Sequence, residues 1–148
     1  MTDLPSGPRL IIPFLGRLYG CLSPVAETLL RLVTGGMLAV HGWPKILNPL
    51  GAAGIVERVG LQPVALWSIL LSVTEFFGGL LVAIGLFTRP AALATLAQML
   101  TVVYFHWLVL GQGYKGSEFP IMWAACLLFF VARGSNGFSV DARLGRQF

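Results

Sequence analysis

The stretch that decides the fold is residues 64–87, VALWSILLSVTEFFGGLLVAIGLF, an apolar run long enough to cross a bilayer as one helix. Glu75, near its middle, is the only charged residue in the run. A charged side chain at bilayer depth costs roughly 2.5 to 3.5 kcal/mol on insertion scales, so a chain that keeps one there uses it for a partner, a substrate or a proton. The run therefore predicts a transmembrane helix and marks Glu75 as a candidate functional residue.

The composition of the whole chain is typical of an integral membrane protein. Of its 148 residues, 56% are hydrophobic and only 11% are charged, and the mean hydropathy is +0.80. Soluble domains carry about 25% charged residues, more than twice this share. The length allows one domain, so any chemistry must lie among the helices or in short loops.

The charge and the cysteines argue against two other classes of protein. The net charge of +4 comes from Lys and Arg residues scattered at the ends of the apolar segments, with no basic helix face, so nucleic acid is not an expected partner. Cys21 and Cys126 fall in different segments and form no C-x-x-C motif. Neither a redox dithiol nor a zinc site is therefore predicted.

Proline, glycine and capping residues divide the chain into four apolar spans. Ser23-Pro24 predicts a helix start, and Thr88-Arg89-Pro90 predicts a tight turn between two antiparallel spans. We expect an all-α, four-helix transmembrane bundle with an N-terminal interfacial helix at residues 9–22 and a short interfacial helix at about 52–59. The expected divisions are the segment 1–24, the membrane domain 25–133 and the tail 134–148, with spans at about 25–43, 64–87, 91–110 and 118–132.

The basic residues predict how the chain is oriented. Four spans place both termini on one side of the membrane, and that side, with the turn at 88–90, holds more Lys and Arg than the other. Because cytoplasmic loops carry the excess of basic residues, we expect both termini to lie in the cytoplasm. The expected location is a bacterial inner membrane.

Arg31 lies inside the first span, as Glu75 lies inside the second. Our first interpretation is a buried ion pair between them, which locks the two helices together without taking part in a reaction. One alternative is that Glu75 accepts protons or binds a quinone-like head group. Another is that Arg31 extends toward the membrane surface.

Further polar side chains are predicted near the outer face. At about 100° per residue, Arg31, His41 and Lys45 fall within an arc of roughly 80° and can all face the bundle interior. His41, His106 and Glu118 are ligand types of a two-histidine, one-carboxylate metal site, but they lie on three helices without a local motif, so no metal is predicted. The candidate catalytic residues are Glu75, His41 and His106, and the candidate quinone or polar pocket comprises Arg31, His41, Lys45, Glu75, His106 and Glu118.

Five motifs follow one another along the chain. They are Arg31-Leu32 with Gly35-Gly36 and His41-Gly42-x-x-Lys45, then Glu75-x-x-Gly78-Gly79 continuing to Gly85-Leu86-x-Thr88-Arg89, then His106, the stretch from Gly113-Tyr114 to Glu118, and the tail Gly137-Phe138-Ser139-Val140-Asp141-Ala142. Together they resemble the DoxX family of small four-helix membrane proteins, over nearly the whole chain after residue 25.

The resemblance implies a function through a complex. Members similar to this chain have been linked, as membrane subunits, to a thiosulfate:quinone oxidoreductase and to assemblies that handle thiol or oxidative stress. The first implication is an accessory or anchoring subunit of a membrane redox or respiratory complex, with lipids and other subunits as partners. The alternatives are a quinone-binding subunit, with quinone as cofactor, and a small-molecule transporter. Without a vicinal cysteine pair, catalysis by this chain alone is not expected. Asp141 and Ser139 would fix the tail through Arg89 or Arg133.

Overall fold

The chain folds into helices joined by short loops. A computed structural model describes residue 12 and residues 14–145. Across these residues the helices are α1 Leu15–Leu47, α2 Ala53–Val59, α3 Val64–Ile84, α4 Thr88–Val109, α5 Gly113–Arg133 and α6 Val140–Arg143.

Three of these helices, α3, α4 and α5, are long and apolar enough to cross a membrane. Helix α1 has 33 residues but includes the charged residues Glu27 and Arg31, and it does not meet the same standard of apolarity. The all-helical fold and three of the expected spans are therefore confirmed. The crossing of α1, the fourth span, stays a prediction.

Helix α1 is longer at both ends than the sequence predicts. Pro24, predicted at a helix start, and Pro44, predicted just beyond a helix end, both lie inside it. A proline removes one N–H donor from a helix, and here the neighbouring turns keep their own hydrogen bonds, so the helix continues through both. Residues 15–22 of the predicted interfacial helix thus belong to α1, while residues 9–11 and 13 lie outside the described residues.

The other boundaries shift less. The short helix expected at 52–59 is α2, and the second span ends at Gly85, whose φ of 73° closes α3 in a left-handed turn. Helix α4 begins at Thr88 rather than 91, and α5 begins at Gly113 rather than 118.

Glycines bring α1 and α3 into close backbone contact. A Cβ added to Gly35 would overlap the backbone of Gly79 and Ala83, and one added to Gly42 would overlap the backbone of Phe76. Small residues let membrane helices approach in this way. Helix α4 packs mainly on α5, and α3 contacts both α1 and α4 mainly through residues 74–84. The core among these helices includes Leu38, Val82, Ala92, Met99, Leu127 and Phe130.

Two of the spanning helices contain a π-helical turn. The first is Thr74–Gly78 in α3, which carries Glu75, and the second is Phe105–Val109 at the end of α4, which carries His106. A π-helical turn widens a helix by one residue and is frequent at functional sites. Both turns hold a residue that the sequence marks as a candidate.

Candidate functional site

Glu75 is 3% exposed and is held by two side chains. Lys45 Nζ lies 2.6 Å from Glu75 Oε1 and 2.5 Å from Oε2, and Gln98 Nε2 donates to Oε2 at 2.5 Å. The predicted ion pair between Arg31 and Glu75 is therefore wrong. Arg31 instead donates from Nη2 to the carbonyl oxygen of Phe138 at 2.9 Å.

Arg31 and Glu75 do not pair because they lie at different depths in the bundle. Gly42 contacts the backbone at Glu75 and Phe76, so this part of α1 is level with the carboxylate. Arg31 lies three turns earlier in α1, about 16 Å away along the helix axis. Lys45 is in reach because α1 continues through Pro44 instead of ending there.

A cavity of about 440 Å³ lies between α2, α3 and α4, next to this cluster. Its walls are mainly apolar, with Ile55 and Val59 from α2, Leu70 and Trp67 from α3 and Phe105 from α4. Pockets for small organic molecules typically have volumes of about 300 to 1,000 Å³ and few polar groups. The polar side chains on its wall are Lys45, Thr74, Gln98, Thr101 and His106.

The cavity and the carboxylate share two residues. Lys45 and Gln98 both line the cavity and both bind Glu75. Gln98 is buried, and its Oε1 has no hydrogen-bond partner among the residues that the structure describes. His106 Nδ1 lies 2.8 Å from Gln112 Oε1, which fixes the ring beside the cavity.

The predicted pocket residues do not all meet. Glu75, Lys45 and His106 lie at or beside the cavity, whereas His41 is exposed on α1 and packs edge-on against Trp123, with ring centroids 5.1 Å apart. Glu118 is exposed on α5. Within residue 12 and residues 14–145, no three His, Cys, Asp or Glu side chains are grouped as metal ligands.

Sequence reasoning missed Gln98. It is the only amide side chain within the predicted span 91–110, and an amide in an apolar span needs partners for its donors and acceptor. That requirement is a usable signal, because it applies whether or not the residue carries a charge.

Asp141 forms a second buried cluster at the C-terminal end of α3, where the chain turns into α4. Its carboxylate accepts hydrogen bonds from the N–H groups of Phe87 at 2.8 Å and Thr88 at 3.1 Å, and from Thr88 Oγ1 at 2.9 Å. It thus caps the first turn of α4, where N–H groups lack partners within the helix. Burial favours a higher pKa for Asp141, but these bonds and one from Ser135 outweigh it, so its pKa lies below the usual range.

The tail is fixed by other contacts than those predicted. Asp141 binds the start of α4, while Arg133 pairs with Glu27 at 3.2 Å, and Arg89 donates to the carbonyl of Arg133 at 3.4 Å. Ser139 accepts a hydrogen bond from the N–H of Ala142 and so caps α6. The prediction that Asp141 acts through Arg89 or Arg133 is wrong.

The tail also contacts α1 directly. Asn136 Nδ2 donates to the carbonyl of Pro24 and to Thr28 Oγ1, both at 2.8 Å. A Cβ at Gly85 would overlap the guanidinium of Arg31 and Ser139, so a glycine is needed where the α3–α4 turn meets this cluster. The segment from residue 134 to residue 143 therefore joins α1 to the α3–α4 turn.

Comparisons with known proteins agree with this fold. The sequence model of the DoxX family matches residues 26–107 of the chain. An uncharacterized protein of Haemophilus influenzae is 31% identical over 131 residues, which cover 84% of this chain and 94% of that protein. No solved structure matches the chain.

Proposed function

The chain belongs to the DoxX family and is an integral membrane protein, and from that premise we propose that it is the quinone-binding membrane subunit of a redox complex. The observation that carries the proposal is the apolar cavity whose polar wall is formed by the two partners of Glu75. A quinone is a flat, largely apolar ring with polar oxygens, and such a ligand needs this combination of surfaces.

The charges suit the chemistry of such a ligand. Lys45 can donate a hydrogen bond to a ring oxygen, and its positive charge stabilises negative charge that develops there on reduction. Glu75, linked to the cavity through Lys45 and Gln98, is a group through which protons can be exchanged. Binding, positioning and proton exchange are then the tasks of this chain.

In this proposal a redox partner supplies the electrons. Cys21 and Cys126 are free thiols on separate helices and do not form a dithiol. We keep the accessory role predicted from the sequence, with the cavity as this chain's contribution to the complex. Extraction in mild detergent, followed by mass spectrometry of co-purifying polypeptides, tests this half of the proposal; a chain isolated without stoichiometric redox partners would contradict it.

A transporter is less well supported by the arrangement of polar groups. The cluster at Glu75 and the cluster at Arg31 are separated by about 16 Å along α1. Between them lie Leu38 and Val82, which are fully buried. Buried apolar side chains thus separate the charged residues of the two clusters.

Filling the cavity tests the binding half of the proposal. Ala97 lines the cavity on α4, and Ala125 is exposed on α5 away from it, so Ala97→Phe and Ala125→Phe add the same side chain in different places. We expect a short-chain ubiquinone to quench the tryptophan fluorescence of the purified protein in nanodiscs, because Trp67 lines the cavity. The affinity should be reduced at least about tenfold in Ala97→Phe and unchanged in Ala125→Phe. Equal affinities for the two variants, or no binding by the wild type, would contradict the proposal.

A further inference from the structure

A second cavity adjoins the large cavity that lies between α2, α3 and α4. It has a volume of about 340 Å³ and is lined by Val59, Leu61, Leu100, Thr101 and Tyr104. We call it the side groove. Three of these residues, Val59, Leu61 and Thr101, also line the large cavity of about 440 Å³. The two spaces therefore meet where the C-terminal end of α2 approaches α4.

The side groove lies on a surface that faces the lipid. Leu100 is 55% exposed and Tyr104 is 46% exposed. Both belong to α4, which is long and apolar enough to cross a membrane. Exposed side chains on a spanning helix contact the hydrocarbon tails of the bilayer. The large cavity is thus next to the lipid on this side.

The packing of α2 favours an opening on the same side. Helix α2 packs mainly against α3 and less against the π-helical turn Phe105–Val109 of α4. The preceding turns of α4, which carry Leu100, Thr101 and Tyr104, have still fewer contacts with α2. This arrangement favours an exit to the lipid between α2 and α4 over one between α2 and α3.

The polar groups of the large cavity lie on the side away from the side groove. At about 100° per residue, Gln98 is about 60° from Thr101 in one direction around α4, and Leu100 is about 100° from it in the other. Lys45 and Gln98 bind the same carboxylate, that of Glu75, so Lys45 lies on the Gln98 side as well. A molecule with its polar end at Lys45 and Gln98 can therefore extend past Thr101 toward the side groove.

A hydrocarbon tail fits this exit. Val59, Leu61 and Leu100 offer only apolar side chains to the side groove. A tail that passes them enters lipid that is as apolar as these side chains. The tail therefore need not fold inside the large cavity.

On the basis of the proposed function, we infer that the ligand is a lipid-soluble quinone with a hydrocarbon tail, whose ring occupies the large cavity and whose tail leaves through the side groove. The ligand then enters from the bilayer rather than from water. Tail length beyond the side groove should have little effect on affinity, because the rest of the tail lies in lipid.

A photoreactive tail tests the path directly. The probe is decylubiquinone with a diazirine in its alkyl chain, bound to the wild-type protein in nanodiscs and activated by light, and mass spectrometry identifies the labelled residues. We expect labelling at residues 59–61 and 100–104 that an excess of unmodified decylubiquinone prevents. Competed labelling confined to Ile55 and Leu70, which line the large cavity on α2 and α3, would overturn the inference, and so would the absence of competed labelling.

A substitution in the side groove separates the tail from the ring. Leu100 lines the side groove and not the large cavity, so Leu100→Trp should obstruct the tail. The matched control is Leu128→Trp on α5, at a residue that is 57% exposed and lines neither cavity. The measurement is displacement of a tail-free azidobenzoquinone photolabel from the large cavity. In Leu100→Trp we expect decylubiquinone to compete at least about fivefold more weakly than in the control, and tail-free ubiquinone-0 to compete equally in both.

The outcomes distinguish the inference from the proposed function. Equal competition by decylubiquinone in the two variants would overturn the inference and leave the proposed function intact. If neither quinone displaces the photolabel from the wild-type protein, the inference and the proposed function are both wrong. Because Leu100 is exposed, Leu100→Trp should fold, and the photoreactive tail decides the path on the wild-type protein in any case.

Discussion

Two adjacent glycines on α1 should respond in opposite ways to the same substitution. A Cβ at Gly35 would overlap backbone atoms of Gly79 and Ala83, whereas a Cβ at Gly36 would meet no atom within 4 Å. Backbone atoms of α3 cannot rotate away as a side chain can. Gly35→Ala must therefore push α1 and α3 apart, while Gly36→Ala changes only the intrinsic preference of the helix.

The size of the difference follows from two terms. Adding a methyl group to a filled contact costs about 1 to 3 kcal/mol, and replacing glycine by alanine inside a helix gains up to about 1 kcal/mol. Both variants share the gain in helix preference, so Gly36→Ala should be neutral or gain up to about 1 kcal/mol, and Gly35→Ala should be less stable than Gly36→Ala by the contact cost of about 1 to 3 kcal/mol. This gap corresponds to roughly 3 to 10 °C in Tm for a chain of this size.

Thermal unfolding of both variants in the same detergent, followed by circular dichroism and by the loss of the folded peak in gel filtration, measures this gap. Because the two variants have the same composition and neighbouring positions, detergent effects should cancel. Equal Tm values, or a lower Tm for Gly36→Ala, would refute the close contact between α1 and α3.

Two further predictions concern the buried carboxylates. Lys45→Met leaves Glu75 buried without its cation and should lower the free energy of unfolding by about 2 to 3 kcal/mol, which is below the usual loss for a buried pair because the Lys45 side chain is 37% exposed. Adding Glu75→Gln to this variant should restore part of the Tm. A double variant less stable than Lys45→Met would contradict the pairing. Because the pKa of Asp141 is lowered in the folded state, its contribution is present above the unfolded pKa of about 3.9 and is lost as the pH falls through the folded value. Asp141→Asn should therefore lower the Tm at pH 7, because the free energy of unfolding falls by about 2 kcal/mol, and the Tm of the variant should fall less below pH 4. If the Tm of the variant falls below pH 4 as much as that of the wild type, this role of Asp141 would be contradicted.

The sequence predicts the helices well because their signals are local. The apolar run at 64–87 and the turn at Thr88 each decide their own structure, and α3 and α4 follow them closely. The prolines of α1 are weaker signals, since each removes one hydrogen bond and the helix continues through both.

The site is harder to predict because it depends on which helix faces which. The predicted spans put both Arg31 and Glu75 inside the membrane, which suggested that the two side chains could meet. The close contacts of Gly35 and Gly42 with α3 instead place Lys45 level with Glu75. The sequence did place Lys45 on the face of α1 that looks into the bundle, but it indicated Arg31 as the partner of Glu75. Gln98 carries no charge, so the cost of charge in a membrane did not mark it.

The contacts of the tail with α1 bear on the order in which the protein is made. Arg31 binds the carbonyl of Phe138, and Thr28 binds Asn136, more than 100 residues later in the chain. Synthesis proceeds from the N-terminus, so α1 leaves the ribosome long before these partners exist. The end of the bundle that holds Arg31 can be completed only after residue 138 has been made, and a chain released early, after Arg133, would keep α3, α4 and α5 but lack the carbonyl that Arg31 binds.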